Sequence, residues 1–418
     1  MPFRIALSGL NAASTDLRVT GNNIANAATN GFKESRTEFG DVYANAIQDT
    51  SSNAAGQGVR VARVAQQFSQ GTIDFTSNNL DLAISGQGFF VLGQADGTQA
   101  YTRAGAYSVD RDGYVVNNAN ARLQTYQATT GVGGATTFNT GVLQDLQLPT
   151  TPSAPSATDT VNVALNLNST DEPPTVPFAP DDAASYNRTT TTVIYDSLGN
   201  SHAATLYYVK TAANNWDQHV YVNGQNVPPA GQPAGTPFQL TFDQSGTLTQ
   251  VNGVAGSMAQ TVAFNPGSGA ADIQLDLDLN GTTQFGAAFA INNLTQNGYS
   301  SGRLAGVDID TEGVVFARYT NGQSSALGKV AMAKFNNQQG LRQVGETNWV
   351  ESFSSGTPQF GEAGTSSFGQ IQSGALEASN VDIAAQLVNL ITAQRNFQGN
   401  AQVISTADTI TQTIINIR

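Results

Sequence analysis

Two apolar stripes with helical spacing, one at each end of the chain, restrict the possible folds more than any other feature of this sequence. Near the N-terminus the stripe residues stand seven apart, at Phe3, Leu10, Leu17 and Ile24, with Ala6, Leu7, Ala13, Thr20 and Ala27 beside that line. A stripe repeated every seven residues is typical of a helix that pairs with another helix. The spacing predicts one long helix at the start of the chain.

The end of the chain repeats this pattern. The apolar positions that step by threes, fours and sevens are Ile383, Leu387, Leu390, Phe397, Ala401, Ile404, Ala407, Ile410, Ile414 and Ile417. We expect the two stripes to form one seam, in which Leu10, Leu17 and Ile24 face Leu390, Phe397 and Ile404, or the same residues in another copy. Both stripes are narrow and rich in Ala. A helix with so little apolar surface to bury is only marginally stable when isolated in water. The sequence therefore favours helices that are ordered by partners, either each other or other copies, over two amphipathic helices that pack on the β domain.

Everything between the stripes has the patterns of β-structure. The runs 273–279, 80–84 and 59–61 alternate between apolar and other residues, which is typical of strands. Dipeptides that favour hairpin turns are Asp112-Gly113, Asn223-Gly224, Asn252-Gly253, Asn280-Gly281 and Asn321-Gly322. The predicted fold class is a mostly β, multi-domain protein whose long N- and C-terminal α-helices pair as a coiled coil.

Proline and charge mark a domain boundary inside the β region. Seven of the 14 Pro lie between Pro149 and Pro180, and residues 148–295 carry −9 of the net charge of −13. Proline cannot donate a hydrogen bond to a β-ladder, so the first stretch favours a linker or an edge loop. The sequence therefore predicts nested, discontinuous domains. They are a terminal helical domain (1–30 and 375–418), a linker region (31–70 and 361–374), an inner β domain (71–147 and 296–360) and an inserted outer β domain (148–295).

The composition excludes several classes of function. A net charge of −13 opposes general nucleic-acid binding, which needs cationic surfaces. The absence of Cys excludes disulfides and thiolate sites, and two His are too few for a histidine-built metal cluster. No apolar run approaches the ~20 residues of a membrane span. The first thirty residues lack the apolar core of a signal peptide, so we expect any export to proceed without a cleaved leader.

Candidate catalytic and metal motifs are weak. Two stretches, 276–281 and 308–313, resemble the first half of a calcium loop, but Ala287 and Tyr319 stand where the loop needs its twelfth-position carboxylate. Ser201 and His202, with Asp196 nearby, are adjacent on a strand and would point to opposite faces. We interpret both histidines, His202 and His219, as surface or half-buried. The sequence predicts no catalytic, cofactor or metal site and no enzyme.

Three sequence blocks resemble a known family. The block from Ser8 to Ala44, the block from Asn78 to Leu92 and the C-terminal block from Ala375 resemble those of bacterial flagellar rod, hook and hook-associated axial proteins. The first block contains the family motif residues Ser8, Gly9, Leu10, Asn22, Asn23, Ile24, Ala25, Asn26, Gly31, Phe32 and Lys33. Within the family the chain is similar to the hook group, because it carries a large central insertion.

This resemblance implies a structural role. Members of the hook group polymerise into a curved, hollow tube that serves as a universal joint and transmits torque from rod to filament. The implied partners are other copies of the chain, the distal rod protein, the hook cap protein, the hook–filament junction protein and the flagellar type III export apparatus. The implied location is the extracellular hook, with no nucleic acid and no membrane insertion.

Two alternatives remain open at this stage. The chain could be a distal rod-type axial protein with an unusual insertion. It could also be a surface adhesive or carbohydrate-binding β protein that uses its helical ends for anchoring.

Overall fold

A computed structural model describes residues 2–42, 56–130, 136–267, 269–365 and 367–416. Two long helices close the described chain at its ends, α1 over Pro2–Ala25 and α2 over Ile383–Asn416. Two single-turn 3₁₀ helices lie at Ala183–Ser185 and Gln338–Gly340. The other regular elements are strands, so the predicted fold class is confirmed.

The strands of the first part of the chain are β1 Ser35–Asp41, β2 Val59–Gln66, β3 Ile73–Phe75, β4 Leu82–Ser85, β5 Phe89–Gly93, β6 Gln99–Thr102, β7 Ser108–Val109, β8 Val115–Val116, β9 Arg122–Thr130 and β10 Thr136–Asp145. The central strands are β11 Thr160–Asn168, β12 Arg188–Tyr195, β13 Ser201–Ala212, β14 Asn215–Val222, β15 Gln225–Asn226, β16 Phe238–Phe242, β17 Leu248–Val251, β18 Val254–Ala255, β19 Met258–Gln260, β20 Asp276–Asp278, β21 Thr283–Phe285 and β22 Ala290–Gln296. The last strands are β23 Leu304–Ile309, β24 Val314–Tyr319, β25 Ser324–Lys334, β26 Arg342–Gly345, β27 Asn348–Val350, β28 Gln359–Glu362, β29 Gln370–Ser373 and β30 Ala375–Glu377.

The chain divides into two compact units. Unit 1 contains residues 1–150, 306–318 and 324–418, and unit 2 contains residues 151–305 and 319–323. Unit 2 is thus inserted within the sequence of unit 1.

Unit 1 is built on an antiparallel sheet with the strand order β23-β24-β25-β9-β5-β6-β27-β26. Its core is aromatic, with edge-to-face ring pairs that include Phe89 with Trp349 at 5.8 Å and Tyr101 with Phe335 at 4.8 Å. Smaller ladders complete the unit: the hairpin β1–β2, the pair β4–β29 and the pair β3–β30. The last two ladders pair the residues just before α2 with β3 and β4, which come early in the sequence of unit 1.

Residues 31–70, expected to form a linker, contain the β1–β2 hairpin. Its register runs from Ser35 opposite Gln66 to Asp41 opposite Val59. The hairpin belongs to the same unit as the helices and begins ten residues after α1 ends.

Unit 2 holds two sheets around one apolar core. The larger sheet has the order β12-β13-β14-β16-β17-β18, and the smaller has the order β19-β20-β11-β21 with β22 also on β11. Alternate residues of the run 273–279, namely Ile273, Leu275, Leu277 and Leu279, are buried in this core. The predicted alternation of that run is confirmed.

The Asn-Gly turns of unit 2 differ in what they connect. Asn223-Gly224 and Asn252-Gly253 have positive φ at both residues and join antiparallel neighbours, as predicted. Asn280-Gly281 joins β20 to β21, and both of these strands run parallel to β11. The hairpin prediction is wrong there, because the two strands pair with β11 at opposite ends rather than with each other.

Candidate functional site: the paired terminal helices

The two terminal helices pack against each other in antiparallel orientation. A side chain at Gly9 would meet Asn400, and Asn23 donates a hydrogen bond to Gln386 Oε1 at 3.2 Å. Moving forward along α1 by fourteen residues therefore moves backward along α2 by the same number. The predicted pairing of the helices is confirmed.

Small and polar side chains form the centre of the seam. On α1 the buried residues Ala6, Ala13 and Thr20 lie seven apart, and on α2 Gln386 and Ala393 are buried with the same spacing. At Gly9 the missing side chain leaves room for the Asn400 side chain of α2 to pack against α1. The centre of the seam on α1 therefore runs through Ala6, Ala13 and Thr20, beside the predicted line of Leu10, Leu17 and Ile24.

The large apolar residues of the predicted seam lie at its borders or outside it. Half-buried positions are Leu10, Leu17, Ile24, Leu390, Phe397 and Ile404, whereas Phe3, Ile383 and Leu387 are exposed. Ile414 lies in α2, but its side chain is outside what the structure describes, and Ile417 lies outside the described residues. Phe3, Ile383 and Leu387 are about half exposed, so they do not form the buried centre of the seam within the chain.

Both helices present large apolar side chains to solvent. On α1 these are Phe3, Ile5 and Leu7, and on α2 they are Ile383, Leu387, Val388, Ile391, Val403, Ile410 and Ile415. Val388, the sixth residue of α2, is 63% exposed. Contiguous exposed apolar surface is characteristic of a protein–protein contact. The helix pair thus has an inner seam and an apolar outer surface.

Hydrogen bonds of Asn23 connect the end of α1 and the start of α2 to the β1–β2 hairpin. Asn23 Nδ2 donates to Ser35 O at 2.8 Å, and Ser35 N donates to Asn23 Oδ1 at 3.0 Å. Gln386 Nε2 then donates to Glu34 Oε1 at 2.8 Å. The buried Asn23 amide thus satisfies both main-chain groups of Ser35 and contacts α2 at Gln386.

Ser8 makes a second link between α1 and the hairpin. The Val59 amide donates to Ser8 Oγ at 3.2 Å, and Ser8 Oγ donates to Ile5 O at 2.7 Å.

The turn after α1 is shaped by the remaining motif residues. Ala25 is the last residue of α1, and Asn26 Nδ2 donates back to Asn22 O at 2.9 Å. Gly31 has φ +70, and a Cβ there would lie 2.7 Å from Ala104 Cα. This position therefore needs glycine for both its conformation and its close contact. Phe32, the next residue, is buried.

Two cations meet one buried carboxylate where the chain passes between the helices and the strands. Lys33 Nζ lies 2.6 Å from Glu377 Oε1, and Arg103 Nη1 lies 3.1 Å from Glu377 Oε2. Burial disfavours the charged forms and lowers the pKa of both Lys33 and Arg103, although the Glu377 carboxylate opposes that shift. The motif residue Lys33 is thus a buried ion-pair partner.

Helix α2 begins with a standard N-cap. Asp382 Oδ1 accepts hydrogen bonds from the amides of Ala384 at 2.8 Å and Ala385 at 3.2 Å. Asn380, just before it, accepts from the Glu34 amide at 2.7 Å and donates to Gln67 O at 2.8 Å. The start of α2 is therefore fixed to the same segments that hold the end of α1.

Within the described residues there is no group of three or more His, Asp or Glu side chains close enough to hold an ion. In the calcium-loop look-alikes the carboxylates cap turns instead: Asp278 accepts from the Asn280 amide, and Asp310 accepts from the amides of Glu312 and Val314. Among the same residues, no helix combines the length and apolar character that crossing a bilayer requires.

The histidines are more buried than their sequence suggested. His202 and His219 are each 7% exposed, so the interpretation as surface or half-buried residues is wrong. His202 contacts Asp196 Oδ2 at 3.1 Å, while Ser201 is exposed, as expected for opposite faces of a strand. Burial alone would raise the pKa of Asp196, but hydrogen bonds from Asn200 and His202 outweigh it and lower that pKa below its usual range.

His219 lies on the other face of the same sheet. Its ring stacks on Phe178 at a centroid distance of 3.8 Å, and burial lowers its pKa to about 4. Phe178 belongs to the proline-rich segment between β11 and β12, which covers this face of the sheet. That cover accounts for the burial of His219.

Comparison with known proteins identifies the family. The chain is 41% identical over its full length to the flagellar hook protein FlgE of Escherichia coli strain K12, and the match covers all of both chains. The chain belongs to the flagellar hook protein family. It is also 40% identical to the hook protein of Salmonella typhimurium over the full length of both, and 33% identical to that of Borreliella burgdorferi over 99% of this chain and 98% of the other.

Four family models match successive parts of this hook protein family member. They are the flagella basal body rod protein model (3–33), the flagellar hook protein FlgE/F/G D1 domain (83–166), the flagellar basal body protein FlaE D2 domain (166–299) and the flagellar basal body rod FlgEFG protein C-terminal model (372–417). The crystal structure of the Helicobacter pylori hook protein FlgE2 has a similar fold, with a TM-score of 0.52 at 15% identity over 73% of this chain and all of that one. The chain is therefore a structural subunit of the flagellar hook, and neither the rod-type nor the adhesive alternative gains support.

Proposed function

We propose that this hook subunit polymerises through its paired terminal helices into a curved, hollow tube that acts as a universal joint and transmits torque from rod to filament. The exposed apolar surface of the helix pair carries the proposal. Ten large apolar side chains on α1 and α2 face solvent in a single copy, and burial of each would stabilise a contact by roughly 1.5–3 kcal/mol at most. Neighbouring copies supply the cover that one chain lacks.

The arrangement of the contact supports an open polymer. The same outer surface is present on every subunit, and a head-to-tail contact whose rotation does not close produces a helical filament. The proposed roles of the parts are polymerisation for 1–30 and 375–418, connection for 31–70 and 361–374, an inner β domain at 71–147 and 296–360, and an outer inserted β domain at 148–295. Within this scheme the exposed residues Phe3, Ile383 and Leu387 belong to the outer polymerisation surface. The other predicted seam residues serve polymerisation through the helix pairing; they are Leu10, Leu17, Ile24, Leu390, Phe397, Ile404, Ile414 and Ile417.

The proposed partners follow from the hook role. Besides other copies, they are the distal rod protein at one end of the tube and the hook cap and hook–filament junction proteins at the other. The flagellar type III export apparatus delivers the subunit to its extracellular place. No cofactor and no enzymatic activity form part of the proposal.

The test introduces charge on the outer surface without disturbing the inner seam. Leu387 is 47% exposed, so Leu387→Asp should leave the melting temperature of the monomer unchanged while it abolishes tube formation seen by electron microscopy in polymerising salt. An aspartate there would have to be desolvated without a partner in the contact. The matched control is Val193→Asp in unit 2, a residue of 46% exposure, which should assemble normally. Normal tubes from Leu387→Asp would refute the proposal.

A further inference from the structure

The buried ionic cluster at the base of the helix pair joins four separate segments of unit 1. Lys33 follows α1, Glu377 precedes α2, Arg103 follows β6, and the carboxylate also accepts from the Gly71 amide at 3.0 Å. The side chain of Glu377 is fully buried, and that of Lys33 is 1% exposed. The two chain crossings between helices and strands therefore meet at a single carboxylate.

Each charged group of the cluster has its direction fixed by further contacts. Lys33 Nζ donates to Ser69 O at 2.7 Å, and Arg103 Nη2 donates to Gly86 O at 2.7 Å. The guanidinium also lies 5.5 Å from the centre of the Phe89 ring. The Gly31 amide donates to Glu377 O at 2.7 Å, so main chain and side chain hold the same junction. Each cation therefore makes a hydrogen bond to a main-chain carbonyl in addition to its ion pair with Glu377.

Stability alone does not account for such a cluster. Desolvating buried charges offsets most of their mutual attraction, and well-packed apolar residues are often as stable or more so. What an ion cluster adds is geometry, because a charge-assisted hydrogen bond has a defined length and direction. A device of this kind suits a junction whose angle has to be reproduced in every copy.

We propose that Glu377 is a positioning residue for assembly. It fixes the direction in which the helix pair leaves the strands of unit 1, and Lys33 and Arg103 act through it. The inference rests on the proposed assembly through the helix pair, because only then must the outer surfaces of successive copies arrive at one angle. In this scheme the junction is stiff, and bending of the tube takes place elsewhere.

The test removes the link between helices and strands while it keeps the net charge of the cluster. Lys33→Met combined with Glu377→Gln eliminates one positive and one negative charge, and the introduced amide oxygen can still accept from Arg103. The matched control is Lys329→Met with Glu362→Gln, a pair within the unit 1 sheet that has the same 2.6 Å separation. If the double variant at the junction does not fold, Glu377→Asp, which keeps the charge and shortens the reach, takes its place.

The readout is the angle of the junction rather than stability. The chain has no cysteine, so spin labels can be placed at Arg395→Cys on α2 and Ser108→Cys on the strands, both exposed positions. Labelled copies diluted among unlabelled ones should give a single narrow distance in tubes of the parent protein and of the control. The junction variant should give a broadened or shifted distance, or should need at least about tenfold more protein to assemble, a change equivalent to ~1.4 kcal/mol.

Two results would distinguish a failure of the positioning role of Glu377 from a failure of the proposed assembly through the helix pair. A junction variant that assembles at the parent concentration with the same narrow distance would overturn the positioning role of Glu377. If Leu387→Asp also assembled normally, the proposed function would fail instead, since tube formation would then not depend on the helix pair. Loss of assembly in a folded junction variant, with normal control tubes, supports the inference.

Discussion

Two glycines of α1 provide a matched test of the helix register. Gly9 faces α2, where a Cβ atom would lie 2.7 Å from Asn400 Cγ, whereas no described atom lies within 4 Å of a Cβ at Gly21. Both residues lie in the same helix, so replacing either by alanine changes intrinsic helix stability equally. That change is a gain of roughly 0.5–1 kcal/mol.

The two substitutions should nevertheless have different results. Gly21→Ala should give the full gain. In Gly9→Ala the Asn400 side chain has to rotate, which removes its hydrogen bond to Asn396 O at 2.8 Å. Loss of such a bond costs about 0.5–1.5 kcal/mol, and crowding of a packed contact adds about 1 kcal/mol or more. We therefore expect Gly9→Ala to be less stable than Gly21→Ala by roughly 1–3 kcal/mol.

Thermal unfolding followed by circular dichroism at the helix band measures this difference. Two further variants, Asn400→Ala alone and Gly9→Ala with Asn400→Ala, complete a double-mutant cycle for the contact. The double variant lacks the obstructing side chain and should recover most of the loss. Equal stability of Gly9→Ala and Gly21→Ala would mean that Asn400 does not lie against Gly9 and that the antiparallel register is wrong.

Unit 2 should lose stability in mild acid. Burial lowers the pKa of His219 from 6.5 to about 4, so the unfolded state binds more protons between these values, and up to roughly 3 kcal/mol of stability should disappear as the pH falls through that range. Denaturant titrations of His219→Phe should show most of this dependence removed, and an unchanged profile would contradict the assignment. Trp216 donates to Gln284 Oε1 at 2.7 Å in the core; Trp216→Phe leaves that oxygen unsatisfied and should cost about 1–3 kcal/mol of unfolding free energy. Phe353 is fully exposed, so Phe353→Ser should leave the melting temperature within about 2 °C of the parent, and a larger fall would reveal a contact missing from this account.

The helical stripes were predictable because helix periodicity is a local property. The predicted line through Leu10 and Leu17 nevertheless lies at the border of the seam, while Ala13 lies at its centre. Hydrophobicity marks the large residues, but the closest approach of two helices selects the small ones. A stripe that serves both an inner and an outer contact cannot be divided between them from spacing alone.

The base of the helix pair could not be predicted from local pattern. Lys33 and Glu377 are 344 positions apart, and nothing near either residue indicates that the other will neutralise it. The burial of His202, by contrast, had a signal: it stands in phase with Leu206 and Tyr208, which are core residues of the same strand. On β14, His219 alternates with the core residues Trp216, Val220 and Val222 and therefore faces away from the core. Its burial depends on the distant segment that carries Phe178.

A cryo-electron microscopy reconstruction of tubes grown from the purified chain would show which surfaces join neighbouring subunits. Assembly through the terminal helices predicts that Leu387, Val388 and Ile391, which are exposed in one copy, are enclosed by helices of neighbouring copies along the whole tube. If these three side chains instead face open solvent, and the tube is held together by contacts between the strand units alone, assembly through the terminal helices is contradicted.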